Sequence, residues 1–121
     1  MALALKSKNR DDLVKASEMY QKAIELDPTF PKPFNGLGKV YHSRGDITAA
    51  IEQWKKALQL DPDHSGSLFN LGMAYFEQQQ FREAYPYFAR YKKLYYNRLS
   101  PELKSNLDQL IKRCIQVPQT E

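Results

Sequence analysis

The residues with chemical potential in this chain are few, and their spacing suits no familiar reaction. His42, His64 and Cys114 make no metal-ligand set of recognisable spacing. Gly36-Leu37-Gly38 reads as a pair of small residues for helix packing, because a nucleotide-binding loop needs a longer glycine pattern after a strand. The carboxylates Asp46, Glu52 and Glu83 fall at caps and on solvent faces, and Asp11-Asp12 reads as a turn and a cap. No pair of acids is placed for proton transfer. An enzyme is therefore not expected, and neither a cofactor nor a metal is called for.

The groups that remain are suited to binding. Tyr85, Tyr87, Tyr91, Tyr95 and Tyr96 are interleaved with Arg90, Lys92, Lys93 and Arg98, the ingredients of a single-strand nucleic-acid platform. Residues 65–98 carry five basic against two acidic residues, whereas the other stretches are nearly balanced within a net charge of +4. Such a stretch could meet nucleic acid or an acidic partner. Yet Tyr85, Phe88, Tyr91, Leu94 and Tyr95 fall largely on one side of a helix. Packing is the better reading of them.

These residues are positioned by a repeat. Shifted by 34 residues, the sequence matches itself: Leu37, Gly38 and Tyr41 return as Leu71, Gly72 and Tyr75. Ala50 is answered by Ala16 and Ala84, and Trp54 by Tyr20 and Phe88. Ala-Ile-Glu-Leu-Asp-Pro at 23–28 returns as Ala-Leu-Gln-Leu-Asp-Pro at 57–62 without insertion. A fixed period of this size marks stacked helical repeats with a shared core.

Composition agrees with an ordered chain. Of 121 residues, 42% are hydrophobic and 26% charged, which argues against disorder. No apolar run reaches the roughly 18 residues of a membrane helix, and no membrane span is expected. The apolar start is too short for a signal-peptide core of roughly 7–15 residues. The single Cys114 cannot form an internal disulfide and leans toward a reducing compartment, so the cytoplasm is the expected location.

In chain order, residues 2–9 read as a short helix with Leu3, Ala4 and Ser7 where later units have Leu, Gly and Tyr. Asp12 then caps a helix over 13–26, ended by Asp27-Pro28. This first unit reads as worn, or as cut from a longer array. The second unit has helices from Lys32 or Pro33 to about 43 and over 47–60, joined by Arg44-Gly45-Asp46. Gly38 is expected to face Ala50 there. The third runs from Ser67 to about 96, with Pro86 removing one bond from its second helix and threatening a kink. Tyr91 and Tyr96 replace the alanine and proline of earlier units, so something different packs there. That element is a helix from about 100 to 116, capped by Ser100 and begun by Pro101. Its stripe is Leu103, Leu107, Leu110, Ile111 and Cys114. Asn106, Asp108, Gln109, Lys112 and Arg113 occupy its other side, and 116–121 reads as a frayed tail.

On these residues the unit resembles the tetratricopeptide repeat, with Phe34, Leu37, Gly38, Tyr41, Ala50, Trp54, Ala57 and Pro62 at the signature positions. The third unit matches through Leu68, Leu71, Gly72, Tyr75, Ala84 and Phe88 and then departs at Tyr91 and Tyr96. The first matches through Ala16, Tyr20, Ala23 and Pro28. The resemblance implies an all-α fold: a short right-handed α-solenoid of three helix–turn–helix repeats (about 1–30, 31–64 and 65–98) plus a C-terminal capping helix, in a single domain. It also implies a non-catalytic protein–protein interaction module binding a peptide or partner protein in a concave groove.

On a helical wheel, Lys32, Asn35, Lys39 and His42 lie apart from the packing face of their helix. One period later stand Phe69, Met73 and Phe76, with Asn70 on the flank; the first unit has Leu5 and Lys8. By resemblance these residues line the groove, basic-polar in the middle and apolar toward the C-terminal end. The apolar set is expected to dock side chains of a ligand, the alternatives being cover by the C-terminal helix or a homo-oligomer. Relatives that clamp a carboxylate use Lys, Asn and Arg over three first helices. Asn70 fits one such place, but Lys39 replaces an Asn and only Lys104 is offered downstream, so a clamp is not expected.

Overall fold

The computed structural model describes residues 2–116, with side chains from residue 10 onward. Six α-helices account for most of these residues: α1 (Ala2–Leu26), α2 (Pro31–Ser43), α3 (Ile47–Leu60), α4 (Ser65–Glu77), α5 (Phe81–Tyr95) and α6 (Pro101–Gln116). A short 3-10 turn, Tyr96–Arg98, links the last two. They form two compact units, one up to Leu60 and one from Asp61 onward.

In the first unit α2 packs against both α1 and α3. Its core is Leu37, Val40, Ala50, Trp54 and Ala57, all nearly inaccessible to water. Gly38 makes room for Trp54: a Cβ added there would lie 2.6 Å from Cε2 of the indole. A small residue here gives space to a large ring. The indole N–H donates to the Asn35 carbonyl at 3.2 Å, which holds the ring in place.

The turns follow local chemistry. Asp27 and Asp61 stop α1 and α3, their carboxylates accepting from the backbone N–H of Thr29 and of Asp63 at 3.0 Å. Between α2 and α3, Gly45 adopts φ +83° and the Asp46 carboxylate accepts from the Ala49 N–H at 3.2 Å. His64, a less usual cap, accepts at Nδ1 from the Ser67 N–H at the start of α4. One period after Gly45 stands Gln79, whose φ of 62° is left-handed without being a glycine. Gln79→Gly is expected to stabilise the chain by about 0.5–1 kcal/mol, relief of Cβ strain outweighing glycine's extra entropy in the unfolded chain. A rise in urea midpoint would show it; an unchanged or lower midpoint would refute it.

In the second unit α5 packs against α4 and α6. Phe88, Ala84, Leu107 and Cys114 form its buried centre. Pro86 lies within α5, and the helix runs on through it from Phe81 to Tyr95. The Ser100 hydroxyl accepts from the Leu103 N–H at 3.2 Å, and α6 begins at Pro101 as expected.

One element departs from the sequence reading. α1 is a single helix of 25 residues, so the break expected at Asp11-Asp12 is absent. No proline or glycine interrupts 2–26, and Asn, Arg and Asp can all continue a helix. The side chains of Leu5 and Lys8 and the tail 117–121 lie outside the described residues.

Candidate functional site

The apolar residues singled out on α4 gather around the second unit's core. The Phe69 ring packs on Phe88 and Tyr91 with centroids 5.8 and 5.4 Å apart. Phe76 meets Phe81 edge-on at 5.2 Å and Phe88 at 6.2 Å. Phe69, Met73 and Phe76 are thus half-buried against a core that includes Leu107 and Cys114 of α6. An open docking face is therefore not what they form: the C-terminal helix covers part of it. A second apolar side on α4 needed a second burial partner, and the stripe of α6 supplies one.

Cover is incomplete, and a cleft is left. Phe69, Met73 and Phe76 form one wall and Asn106, Gln109 and Leu110 the other, around about 480 Å³. A narrower hollow of about 190 Å³ continues past Phe69, lined by Tyr91, Leu99, Leu103, Asn106 and Leu107. Aromatic and aliphatic walls with two amides at the rim suit an apolar side chain flanked by peptide groups. Asn106 and Gln109 had been assigned by sequence to the solvent side of α6. Their spacing beside Leu110 was the available signal, and only the placement of α6 gives it meaning.

Asn70 is half-buried beside this cleft but lines neither hollow. The polar set on α2 belongs to the first unit. Lys32 and Lys39 are exposed, Asn35 is half-buried, and the His42 ring lies 6.0 Å from that of Trp54.

The basic third repeat is largely engaged within its own unit. Arg90 Nε donates to the Asp63 carboxylate at 2.9 Å, and the Tyr95 hydroxyl donates to the Asp63 carbonyl. Asp108 of α6 accepts from the Tyr96 hydroxyl at 2.6 Å and from Lys92 Nζ at 2.9 Å. These two bonds, the hydroxyl's first, hold the Asp108 carboxyl below its ordinary range; donation to it raises both the Tyr96 phenol and the Lys92 ammonium. Lys92 and Lys104 both lie over the Tyr96 ring, at 4.8 and 5.3 Å. Tyr96 therefore ties α6 down where earlier repeats carry proline. Tyr85, grouped by sequence with the packing residues, is instead 40% exposed. Burial alone pushes the Cys114 thiol up. Among the described residues no group of three or more His, Cys, Asp or Glu could hold a metal ion.

The helix pairs and their periodic glycine and aromatic contacts define a helical-repeat protein. Residues 10–43 and 38–79 match a family model described as TPR repeat, and 67–96 match one described as Tetratricopeptide repeat. The chain belongs to the tetratricopeptide repeat family, and its fold is an all-α array of helix–turn–helix repeats. No curated protein matches it by sequence. Among solved structures, the Yersinia enterocolitica type III secretion chaperone SycD in complex with a peptide of the translocator YopD is similar with TM-score 0.75 at 19% identity, covering 94% of this chain and 88% of that one. The first TPR of Spaghetti (RPAP3) bound to the HSP90 peptide SRMEEVD gives 0.75 at 22%, covering 95% and 96%. The TPR2B domain of yeast Sti1 in complex with pHsp70 gives 0.74 at 15%, covering 92% and 89%.

Proposed function

We propose that this chain is a non-catalytic protein-interaction module that takes an apolar side chain of a peptide into the cleft between α4 and α6. The observation that carries the reading is the cleft itself: half-buried Phe69, Met73 and Phe76 facing Leu110, with Asn106 and Gln109 at its mouth. Its size falls within the roughly 300–1,000 Å³ usual for ligand pockets. The two structural neighbours solved with a bound peptide support a peptide as the ligand. In this reading Phe69 and Phe76 give rigid aromatic walls and Met73 an adaptable contact. Asn70 flanks the cleft residues on α4 as a selecting contact, and Lys32, Asn35, Lys39 and His42 of the first unit are a polar peptide-contacting surface of their own. Among the described residues no helix is long and apolar enough to cross a membrane.

The test is a selection from a displayed peptide library, followed by anisotropy titration of the selected peptide. Asn106→Trp and Gln109→Trp start from exposed rim positions and fill the cleft without touching the core. Each is expected to raise Kd at least about tenfold, a loss of about 1.4 kcal/mol, with the helical spectrum unchanged. Equal affinity in both variants, or no peptide selected, would overturn the reading.

A further inference from the structure

α6 borders a second hollow besides the apolar cleft. Tyr96, Lys104, Ser105, Asp108, Gln109 and Lys112 line it, around about 420 Å³. Its charge is one-sided. The ammoniums of Lys92 and Lys104 lie over the Tyr96 ring, at 4.8 and 5.3 Å from its centroid, and Lys112 is exposed at the edge. The one carboxylate of the group, Asp108, is already engaged at both oxygens, by the Tyr96 hydroxyl at 2.6 Å and by Lys92 at 2.9 Å. No carboxylate among the described residues pairs with Lys104 or Lys112. Three ammoniums therefore surround a single carboxylate, and two positive charges are left over.

These charges are placed to receive an anion. Lys104 is half-buried with its ammonium over the ring, so little freedom remains to be lost on binding. The Ser105 hydroxyl and the Gln109 amide add neutral donors. The ring already engages two ammoniums, so what the hollow offers a partner is charge and not a stacking surface.

Gln109 joins this hollow to the cleft, because it lines both. Asn106, Gln109 and Lys112 follow one another at intervals of three along α6. Neighbours at that spacing have Cβ atoms about 5–6 Å apart. The mouth of the cleft at Asn106 is thus about 10 Å from Lys112, a span that three residues of extended chain can cover at roughly 3.3 Å each.

We propose that the hollow takes an acidic side chain, Asp or Glu, of the same peptide whose apolar side chain enters the cleft. The two side chains stand three or four residues apart, with Gln109 beneath the chain between them. Lys104 and Lys112 receive the carboxylate. The proposal rests on the reading of the cleft given above and adds charge to its specificity.

Displayed peptides selected in parallel on the wild type and on Lys104→Gln/Lys112→Gln test it. Both proteins are expected to return an apolar anchor, and only the wild type an Asp or Glu at that fixed distance from it. The wild-type peptide is then titrated by anisotropy, amidated at its C-terminus so that a terminal carboxylate cannot stand in. The double variant is expected to raise Kd about three- to tenfold, the scale of two partly exposed ion pairs. Replacing the peptide's acid by its amide should cost as much, and the two losses should not add. Lys104→Arg/Lys112→Arg should keep most of the affinity. An anchor without a fixed acid, or equal affinity in the glutamine variant, would overturn this proposal and leave the cleft standing. No anchor from either protein would overturn the cleft reading, and this proposal with it.

Discussion

Phe88→Ala is expected to lower the chain's stability by about 3–5 kcal/mol, the usual range for truncating a fully buried Phe. The ring has no exposed surface and touches Gly72, Phe69 and Phe76. Gly72 has no side chain with which to fill the hole, and the neighbouring rings are held by Tyr91 and Phe81. Little relaxation is therefore available, which places the cost in the upper half of the range. Against a total of roughly 5–15 kcal/mol for a domain, the loss is severe. Urea denaturation followed by circular dichroism measures it, and amide exchange in α4 and α5 locates it. Because Phe69 and Phe76 lean on the same ring, the wall of the cleft should loosen as well. A loss under about 1 kcal/mol would mean that the core refills, contrary to the packing described here.

Gly38→Leu is expected to cost about 1–3 kcal/mol, even though leucine favours a helix over glycine by up to about 1 kcal/mol. Space decides which effect wins. An added Cβ would lie 2.6 Å from Cε2 and 2.7 Å from Cδ1 of Trp54, an indole that is 2% exposed and bonded to the Asn35 carbonyl. Displacing it breaks that bond and unseats the core between α2 and α3. Gly45→Ala is the control. Nothing lies within 4 Å of that position, so only the left-handed backbone is penalised, at about 1 kcal/mol. Tryptophan fluorescence separates the two: Gly38→Leu should shift the emission of Trp54 in the folded state, and Gly45→Ala should not. A Gly38→Leu protein as stable as the wild type would show that the ring yields easily.

Much of this was legible in the residues alone. Leu37, Gly38, Ala50 and Trp54 recur with a 34-residue period because each repeat must bury the same face, and a period survives wherever packing is the same. Helix ends at Asp27-Pro28, Asp46 and Ser100 could be read because capping and proline effects act within a few residues. Tertiary structure decided the rest. Whether Asp11 turns depends on what turning would bury, which is a balance over distant residues and not a local rule. Gln79 enters the left-handed region without being glycine, whereas α1 runs straight through Asp11. That the Trp54 indole presses on Gly38 could not be read from the period, because the seating of the helices sets that distance. Phe69, Met73 and Phe76 were marked as a binding face by their spacing, but spacing carries no record of distance. The cleft exists only because α6, held by Tyr96 and Asp108, returns over α4 and stops short of covering it.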